Sequence, residues 1–404
     1  MSPATGGRSE DDPAGVRGKA SIVGVADAVS PTGKLDLHGR ELEVSVVREA
    51  LGDAGLTLAD VDGVCCATGM MASVELAEYL GIRPRWTDST MTGGSSFEIH
   101  VEHAACAIAA GQADTVLIVY AATPRSRGQD MAQMASAMSG GGQMPMVEWD
   151  IPYGFGIPAA SYSLAATRHM AEFGTTPEQL AAISVSTRAW ASKNPQARFQ
   201  DPISVDDVLA SPYVAEPLHK LECCLVTDGA GAVIVSRTDR ARHLAKPPVA
   251  VLGVGTAHTH GMSISQMPDL CTTAAAVSGP RAFAMAGLAP EDVDVLETYD
   301  SFTITVLLAL EDLGFCKKGD GGAFVAEGAL GPGGSLPTNT NGGGLSYTHP
   351  GMYGIFPLVE ATRQLRGEVG NGRQVGGANV AVAHGCGGVL SATSTVVLGR
   401  EEVL

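Results

Sequence analysis

Ala54-Gly55-Leu56, with Asp60-Val61-Asp62 and Val64 behind it, returns in the second half of the chain as Ala286-Gly287-Leu288, with Asp292-Val293-Asp294 and Val295 behind it. In each copy a glycine stops a helical pattern, a leucine enters the turn, and Asp-Val-Asp leads into an apolar run. Each copy also follows an alanine-rich segment of helical spacing. Two common helix-to-strand turns would give similar letters. The equal spacing and matching flanks predict instead a duplicated α/β half. A looser echo follows in each half, Gly111-Gln112-Ala113-Asp114 and Gly376-Gly377-Ala378-Asn379, each before an apolar strand.

Working outward, Ala20–Ala26 reads as a strand, and Arg40–Leu51 as a helix with apolar residues at Leu42, Val44, Val47 and Leu51. Val61–Ala67 is a second strand, and Ser95–Ala110 an alanine-rich helix. Asp114–Tyr120 is an apolar run of the kind buried on both faces. This alternation predicts parallel α/β layers. From about 123 to 215 the rhythm breaks into Met, Gly and Pro clusters, among them Gly140-Gly141-Gly142 and the turn Pro152–Gly156, with helices over Ala159–Trp190. That stretch reads as an insertion folded over a site. Gly229–Val235 resumes the strands, and Arg237–Pro248 reads as a linker. The expected organisation is a disordered leader over 1–18, an N-terminal half over 19–240 and a C-terminal half over 247–404.

Composition narrows the function. The 404 residues are 45% hydrophobic and 17% charged, with a formal charge of −17. That balance argues against nucleic acid and anionic membrane surfaces as partners, though local Arg and Lys can still hold an anion. No run reaches the ~18 apolar residues a membrane helix needs, and residues 1–18 lack the apolar core of a secretory signal. A cytoplasmic protein is expected. The eight cysteines form no CxxC and no zinc spacing, so most read as reduced core thiols.

Three glycine-rich segments could approach a reacting group: Met91-Thr92-Gly93-Gly94-Ser95-Ser96, Asn341–Gly351 with Tyr347 and His349, and His384-Gly385-Cys386-Gly387-Gly388. The first precedes a helix, where backbone N–H groups favour an oxyanion, or where Ser95 simply caps. In the second, three successive glycines imply a required close approach, and His349 titrates near neutrality. In the third, a thiol between glycines could shuttle a proton. No GxSxG elbow or GxxxxGK[ST] loop occurs.

These segments resemble the motifs of the thiolase superfamily, in its sterol-carrier-protein-x-related, thiolase-like branch. The nucleophile loop corresponds to Met91–Ser96 and the Asn-Glu-Ala-Phe motif to Tyr299-Asp300-Ser301-Phe302. The Gly-His-Pro motif corresponds to Thr348-His349-Pro350, and the C-terminal cysteine motif to Cys386-Gly387-Gly388. The resemblance covers the chain from about residue 20. It implies an α/β thiolase fold, two duplicated halves in five αβαβα layers, dimeric.

The departures carry the functional expectation. Met91 stands at the nucleophile position and cannot form an acyl thioester, and Cys106 lies too far down its helix to replace it. Tyr299 replaces the motif Asn, and Tyr347 adds a second phenol near His349. The chain is therefore similar to the thiolase-like aldolases of steroid side-chain degradation. Those cleave a bulky β-hydroxyacyl-CoA without a covalent intermediate, alongside a partner carrying an OB fold and a zinc ribbon. The resemblance implies Tyr299 and Tyr347 as acid and base, His349 as enolate donor, and Cys386 at the thiolase acid/base position. It implies no cofactor in this chain, zinc only in the partner, and a homodimer within a heteromeric complex. The alternatives are a degenerate thiolase using Cys386, or a non-catalytic acyl-CoA or lipid-binding protein.

Overall fold

The repeated Asp-Val-Asp does the same two jobs in both copies. Asp60 closes a short 3-10 turn by accepting from Thr57 N at 2.9 Å, and Asp292 does so from Ala289 N at 2.8 Å. The second aspartate ties down the start of a neighbouring strand. Asp62 accepts from Asp114 N and Thr115 N, both at 2.9 Å, and Asp294 from Asn379 N and Val380 N at 2.7 and 3.0 Å. Gly55 and Gly287 end their helices with φ of 70° and 64°. The looser echo at 111–114 and 376–379 is thus the other end of the same tie.

The computed structural model describes residue 12 and residues 15–128, 144–155 and 158–404. In chain order the first half runs β1 (Ala20–Ala28), α1 (Gly39–Ala54), β2 (Gly63–Cys66), α2 (Ala72–Leu80), β3 (Trp86–Asp88), α3 (Ser96–Ala109) and β4 (Thr115–Ala122). Then come α4 (Pro158–Phe173), α5 (Pro177–Ala191), α6 (Val205–Ala210), and a ribbon of β5 (Tyr213–Ala215) and β6 (Leu218–His219). β7 (Gly229–Arg237) and α7 (Thr238–Ala241) complete it. The second half runs β8 (Val249–His258), α8 (Ala275–Ala286), β9 (Val295–Thr298), α9 (Thr303–Asp312), α10 (Gly321–Ala326), α11 (Ile355–Arg366), β10 (Val380–Gly387) and β11 (Ala392–Gly399).

The large sheet has the order β3-β2-β4-β7-β1-β8-β11-β10-β9. Read from its two ends, β2-β4-β7-β1 and β9-β10-β11-β8 repeat one arrangement. The halves join where β1 meets β8, through Ser21–Ala250 and Ile22–Val249. Against the expectation of parallel layers, only β3/β2, β2/β4 and β9/β10 are parallel. The β10–β11 connection spans 388–391, too short for a crossover, so that pair must run antiparallel.

Helix α1 packs on β1, β4 and β7, whereas α8 packs on β8 and β11; α3 and α11 touch strands of both halves. The layers therefore run helix, strands, central helices, strands, helix. The central pair is enclosed on all sides, which explains its buried polar residues, Glu98 and His100 on α3 and Glu360 and Gln364 on α11. Each outer helix lies close on its sheet because a glycine faces it. A Cβ at Gly24 would collide with the Ala50 carbonyl, and one at Gly253 with that of Ala282.

Two expectations need correction. Residues 15–18 belong to the fold rather than to a leader: Val16 is fully buried, and Gly18 N donates to Val251 O at 2.9 Å. The rest of the expected leader, 1–11, 13 and 14, lies outside the described residues, as do Gly140–Gly142 and Gly156. The stretch read as a linker instead holds β7's last residue and α7, with Arg240 bonded to Asp60 and Thr115.

Replacing Asp62 or Asp294 by Ala strands two or more backbone donors at a strand start. Each change should cost about 1–3 kcal/mol, read from the urea midpoint. Because the sites sit in different halves, their effects in the double variant should add to within about 0.5 kcal/mol. A cost at only one site would deny that the copies are equivalent.

Candidate active site

Strands β9 and β10, the loops beyond them and the start of α3 bring the three glycine-rich segments together around one cavity of about 100 Å³. Gly93 and Gly94 open α3, Tyr299 follows β9, His349 follows a turn over Gly343–Tyr347, and Cys386 ends β10. Helix α4 from the insertion closes the cavity with Pro158 and Tyr162. The insertion therefore contributes a wall.

Tyr299 and His349 form the central contact. The phenol oxygen lies 2.9 Å from His349 Nε2, and the two rings meet edge to face with centroids 5.6 Å apart. Tyr299 is held from behind by its own N–H to His384 O at 2.9 Å. Its ring lies against Gly94 and the Cys386 carbonyl, where any side chain on Gly94 would collide with it. His349 N donates to Thr227 Oγ1 at 2.8 Å.

Burial sets the protonation of all three groups. It pushes His349 down to about 4 and Tyr299 well above the usual phenol range. The Cys386 thiol is pushed up to about 12 by the same cause. At neutral pH the site thus holds a neutral imidazole, a neutral phenol and a neutral thiol. Two uncharged oxygen and nitrogen atoms at 2.9 Å can pass a proton between them only when a third group pushes it.

Tyr347 is not part of this cluster. Its hydroxyl donates to the Asp27 carboxylate on β1, which also pairs with Arg363 Nη1 at 2.7 Å. Its ring packs edge to face on Phe356 at 6.2 Å. The turn over Gly343–Tyr347 ends between it and His349, so two residues of separation put the side chains in different places. Met91 is also outside: it is 47% exposed, and Gly93 and Gly94 border the cavity in its place. Ser95 makes no side-chain cap; Ser96 Oγ accepts from Thr92 N at 2.9 Å instead. Cys106 lies down α3, away from the cavity lining.

The close approach implied by Gly342–Gly344 is to a protein carboxylate. Asp300 accepts from Gly344 N at 2.5 Å and Leu345 N at 3.2 Å, and a Cβ on Gly343 would occupy the space of its oxygens. Burial raises Asp300 to about 7. Sequence reasoning placed Asp300 in a motif without giving it a role, and missed Tyr162 and Cys224. The last, read as a core thiol, borders the cavity; its N–H donates to Ser301 O at 2.9 Å.

A second, larger pocket of about 660 Å³ adjoins the cavity and shares Cys224 and Phe302 with it. Arg125, Arg198 and Lys220 line it. Among the described residues none of the three is paired with a carboxylate. In a chain of charge −17 these three side chains make the pocket locally basic.

Comparison with known proteins agrees with these features. Residues 255–400 match the model of the thiolase C-terminal domain-like family. The chain is 36% identical over 370 residues to the 17-hydroxy-3-oxo-4-pregnene-20-carboxyl-CoA lyase of Mycobacterium tuberculosis, covering 87% of this chain and 92% of that protein. It is 35% identical over 396 residues to the steroid side-chain-cleaving aldolase of Thermomonospora curvata, covering 95% and 99%. Among solved structures, the Ltp2-ChsH2(DUF35) aldolase superposes with a TM-score of 0.86 at 31% identity, covering 96% of this chain and all of the other.

Tyr299→Phe removes the hydroxyl that bonds His349, and kcat should fall by ~10²- to 10⁴-fold. Tyr347→Phe should lower the melting temperature and leave kcat within a few-fold; the reverse ranking would relocate the chemistry. The pH profile supplies a second check. His349 must be neutral to accept a proton, and burial holds it neutral down to about 4. The acid limb of kcat/KM should therefore fall through about 4, well below the ordinary histidine range near ~6.5.

Proposed function

The chain belongs to the thiolase superfamily and is a carbon–carbon lyase of its aldolase branch; from that membership we propose that it performs retro-aldol cleavage of a bulky β-hydroxyacyl-CoA, a CoA thioester with a polycyclic, steroid-like side chain. The observation that carries this reading is the Tyr299–His349 pair, set in a cavity bordered by Gly93 and Gly94, with Met91 outside it.

The proposed sequence uses the chain's own side chains. The substrate's β-hydroxyl gives its proton to the Tyr299 oxygen as Tyr299 passes its own to His349 Nε2. The Cα–Cβ bond breaks, the β-carbon becomes a carbonyl, and its electron pair moves into the thioester enolate. The Cys386 thiol then protonates the α-carbon, and transfer from the imidazolium to the thiolate restores the site. Burial favours this order, because each group starts neutral and charge appears only as the bond breaks. Cys386 thus keeps its thiolase position with a task the aldol chemistry also needs. Tyr347 is assigned a structural role through Asp27.

The larger pocket supports CoA as the carrier group. Arg125, Arg198 and Lys220 suit a nucleotide phosphate, and the shared Cys224–Phe302 edge leads from them to the catalytic cavity. We assign no resident cofactor to this chain. A partner resembling the DUF35 component of the aldolase complex would complete the assembly, its zinc ribbon and OB fold included. A homodimer fits the open edge of β3 beside exposed Met70, Met71, Val74 and Met91. Eight free cysteines suit a reducing cytoplasmic setting. Among the described residues no helix is long and apolar enough to cross a membrane.

Incubating the complex with matched 3-hydroxy- and 3-ketoacyl-CoA separates the readings. A shorter acyl-CoA should appear from the 3-hydroxy compound with no free CoA added. Cleavage of the 3-keto compound that requires free CoA would indicate a thiolase, and binding without turnover a carrier.

A further inference from the structure

The turn from β10 to β11 is held in a costly shape. Leu390, fully buried, has φ of 59°, a left-handed conformation that a bulky side chain adopts only where its surroundings impose it. Ser391 N and Ser391 Oγ both donate to Gly387 O at 3.2 Å, and Thr259 N donates to Ser391 O at 2.9 Å. That backbone aims the Leu390 N–H at the Cys386 thiol and at the Tyr162 oxygen. Tyr162 comes from the insertion, on α4, and borders the same cavity as Cys386. Its ring lies on Phe302 with centroids 4.4 Å apart, and its hydroxyl donates to Gly388 O at 3.5 Å, the far limit of a hydrogen bond. The same hydroxyl is within hydrogen-bonding reach of the Cys386 sulfur. Burial raises the thiol; the Leu390 N–H lowers it, the Glu98 carboxyl on α3 raises it, and the Tyr162 hydroxyl lowers it. Burial also keeps Tyr162 protonated, and Tyr299, His349 and Cys224 on the other walls are neutral. Two donors are thus aimed at a sulfur that, as a neutral thiol, hardly needs them.

We propose that Tyr162 is a positioning residue of the lyase reaction: with the Leu390 N–H it forms a two-donor hole for the Cys386 sulfur, filled when Cys386 gives its proton to the α-carbon. This rests on the reading of Cys386 as the acid that protonates the enolate. In that step the enolate's electron pair forms the new C–H bond, the S–H bond breaks, and its electron pair stays on sulfur as a thiolate. Tyr162 donates a hydrogen bond to that thiolate and keeps its own proton. Before the step, the phenol has only the long bond to Gly388 O to give up. After it, the bond to a charged sulfur is roughly twice as strong as one between neutral groups. The gain appears only as charge develops, which is the condition for lowering a barrier. The insertion therefore carries part of the chemistry as well as a wall.

The test uses the full chain in its complex, with acetyl-CoA and propionyl-CoA as probes in deuterium oxide. Mass spectrometry follows exchange of the α-hydrogens, which runs the α-carbon step in both directions without any cleavage. Tyr162→Phe keeps the ring and its stacking on Phe302. It should slow exchange by ~10- to 100-fold, while the probe concentration for half-maximal rate and the melting temperature stay near wild type. Cys386→Ala should abolish exchange. A second readout is alkylation of Cys386 by iodoacetamide, mapped on peptides with Cys106 as internal reference. It should slow by about tenfold in Tyr162→Phe, because the thiolate becomes scarcer. Loss of the phenol oxygen also opens space, so a wall without a hydrogen-bonding role gives faster alkylation instead. Exchange within about twofold of wild type, a loss confined to half-saturation, or faster alkylation overturns the proposal. Wild-type exchange in Cys386→Ala removes Cys386 as the acid and the proposal with it, a result distinct from failure at Tyr162 alone.

Discussion

The buried carboxylate of Asp300 organises the site. It follows Tyr299 in the chain and accepts two backbone N–H groups from the loop that carries His349. The same loop accepts Leu225 N through Gly344 O. Three segments distant in sequence are thereby referenced to one group: the end of β9, the loop before α11, and the strip before β7. The 2.9 Å separation of Tyr299 and His349 follows from that tie. Glycine at 343 and 344 is what lets the loop come near enough, so the geometry of the pair rests on residues outside the cavity lining.

The frame was readable in the sequence because its connections are local and repeated. A glycine that ends a helix and an aspartate that catches the next strand act within a few residues of their positions, or on the equivalent partner in each half. Pairing direction was harder to read. Alternation of helix and strand marks parallel neighbours at the outer strands, but β1, β7, β8 and β11 meet through long-range pairings that no local pattern encodes. Val16 shows the converse limit: a single apolar residue in a polar segment carries no period, yet it is fully buried.

At the site, Tyr299, His349 and Cys386 come together, whereas Tyr347 does not. Closeness in sequence stood in for closeness in space, and the turn over Gly343–Tyr347 breaks that equivalence. Cys224 was hidden for a related reason. Adjacent cysteines in an apolar run look alike, while an extended backbone sends one thiol to His219 O and leaves the other facing the cavity. Glu98, buried behind Gly385 with neither oxygen hydrogen-bonded among the described residues, gave no signal beyond its place in an alanine-rich helix.

The thin joint between β1 and β8 bears on how such a chain can change over generations. With two residue pairs between β1 and β8, the strand ladder at that joint imposes little on how the two sets of strands are set against each other. Much of the cohesion comes from apolar burial around α3 and α11, which is non-directional and tolerates small shifts and volume-conserving exchanges, with ion pairs such as Arg363 to Asp27 beside it. Evolution can therefore rework the loops at the strand ends, exchanging one reactive group for another, without renegotiating the scaffold. A cysteine nucleophile can vanish and a phenol arrive while the platform beneath them stays in register with itself.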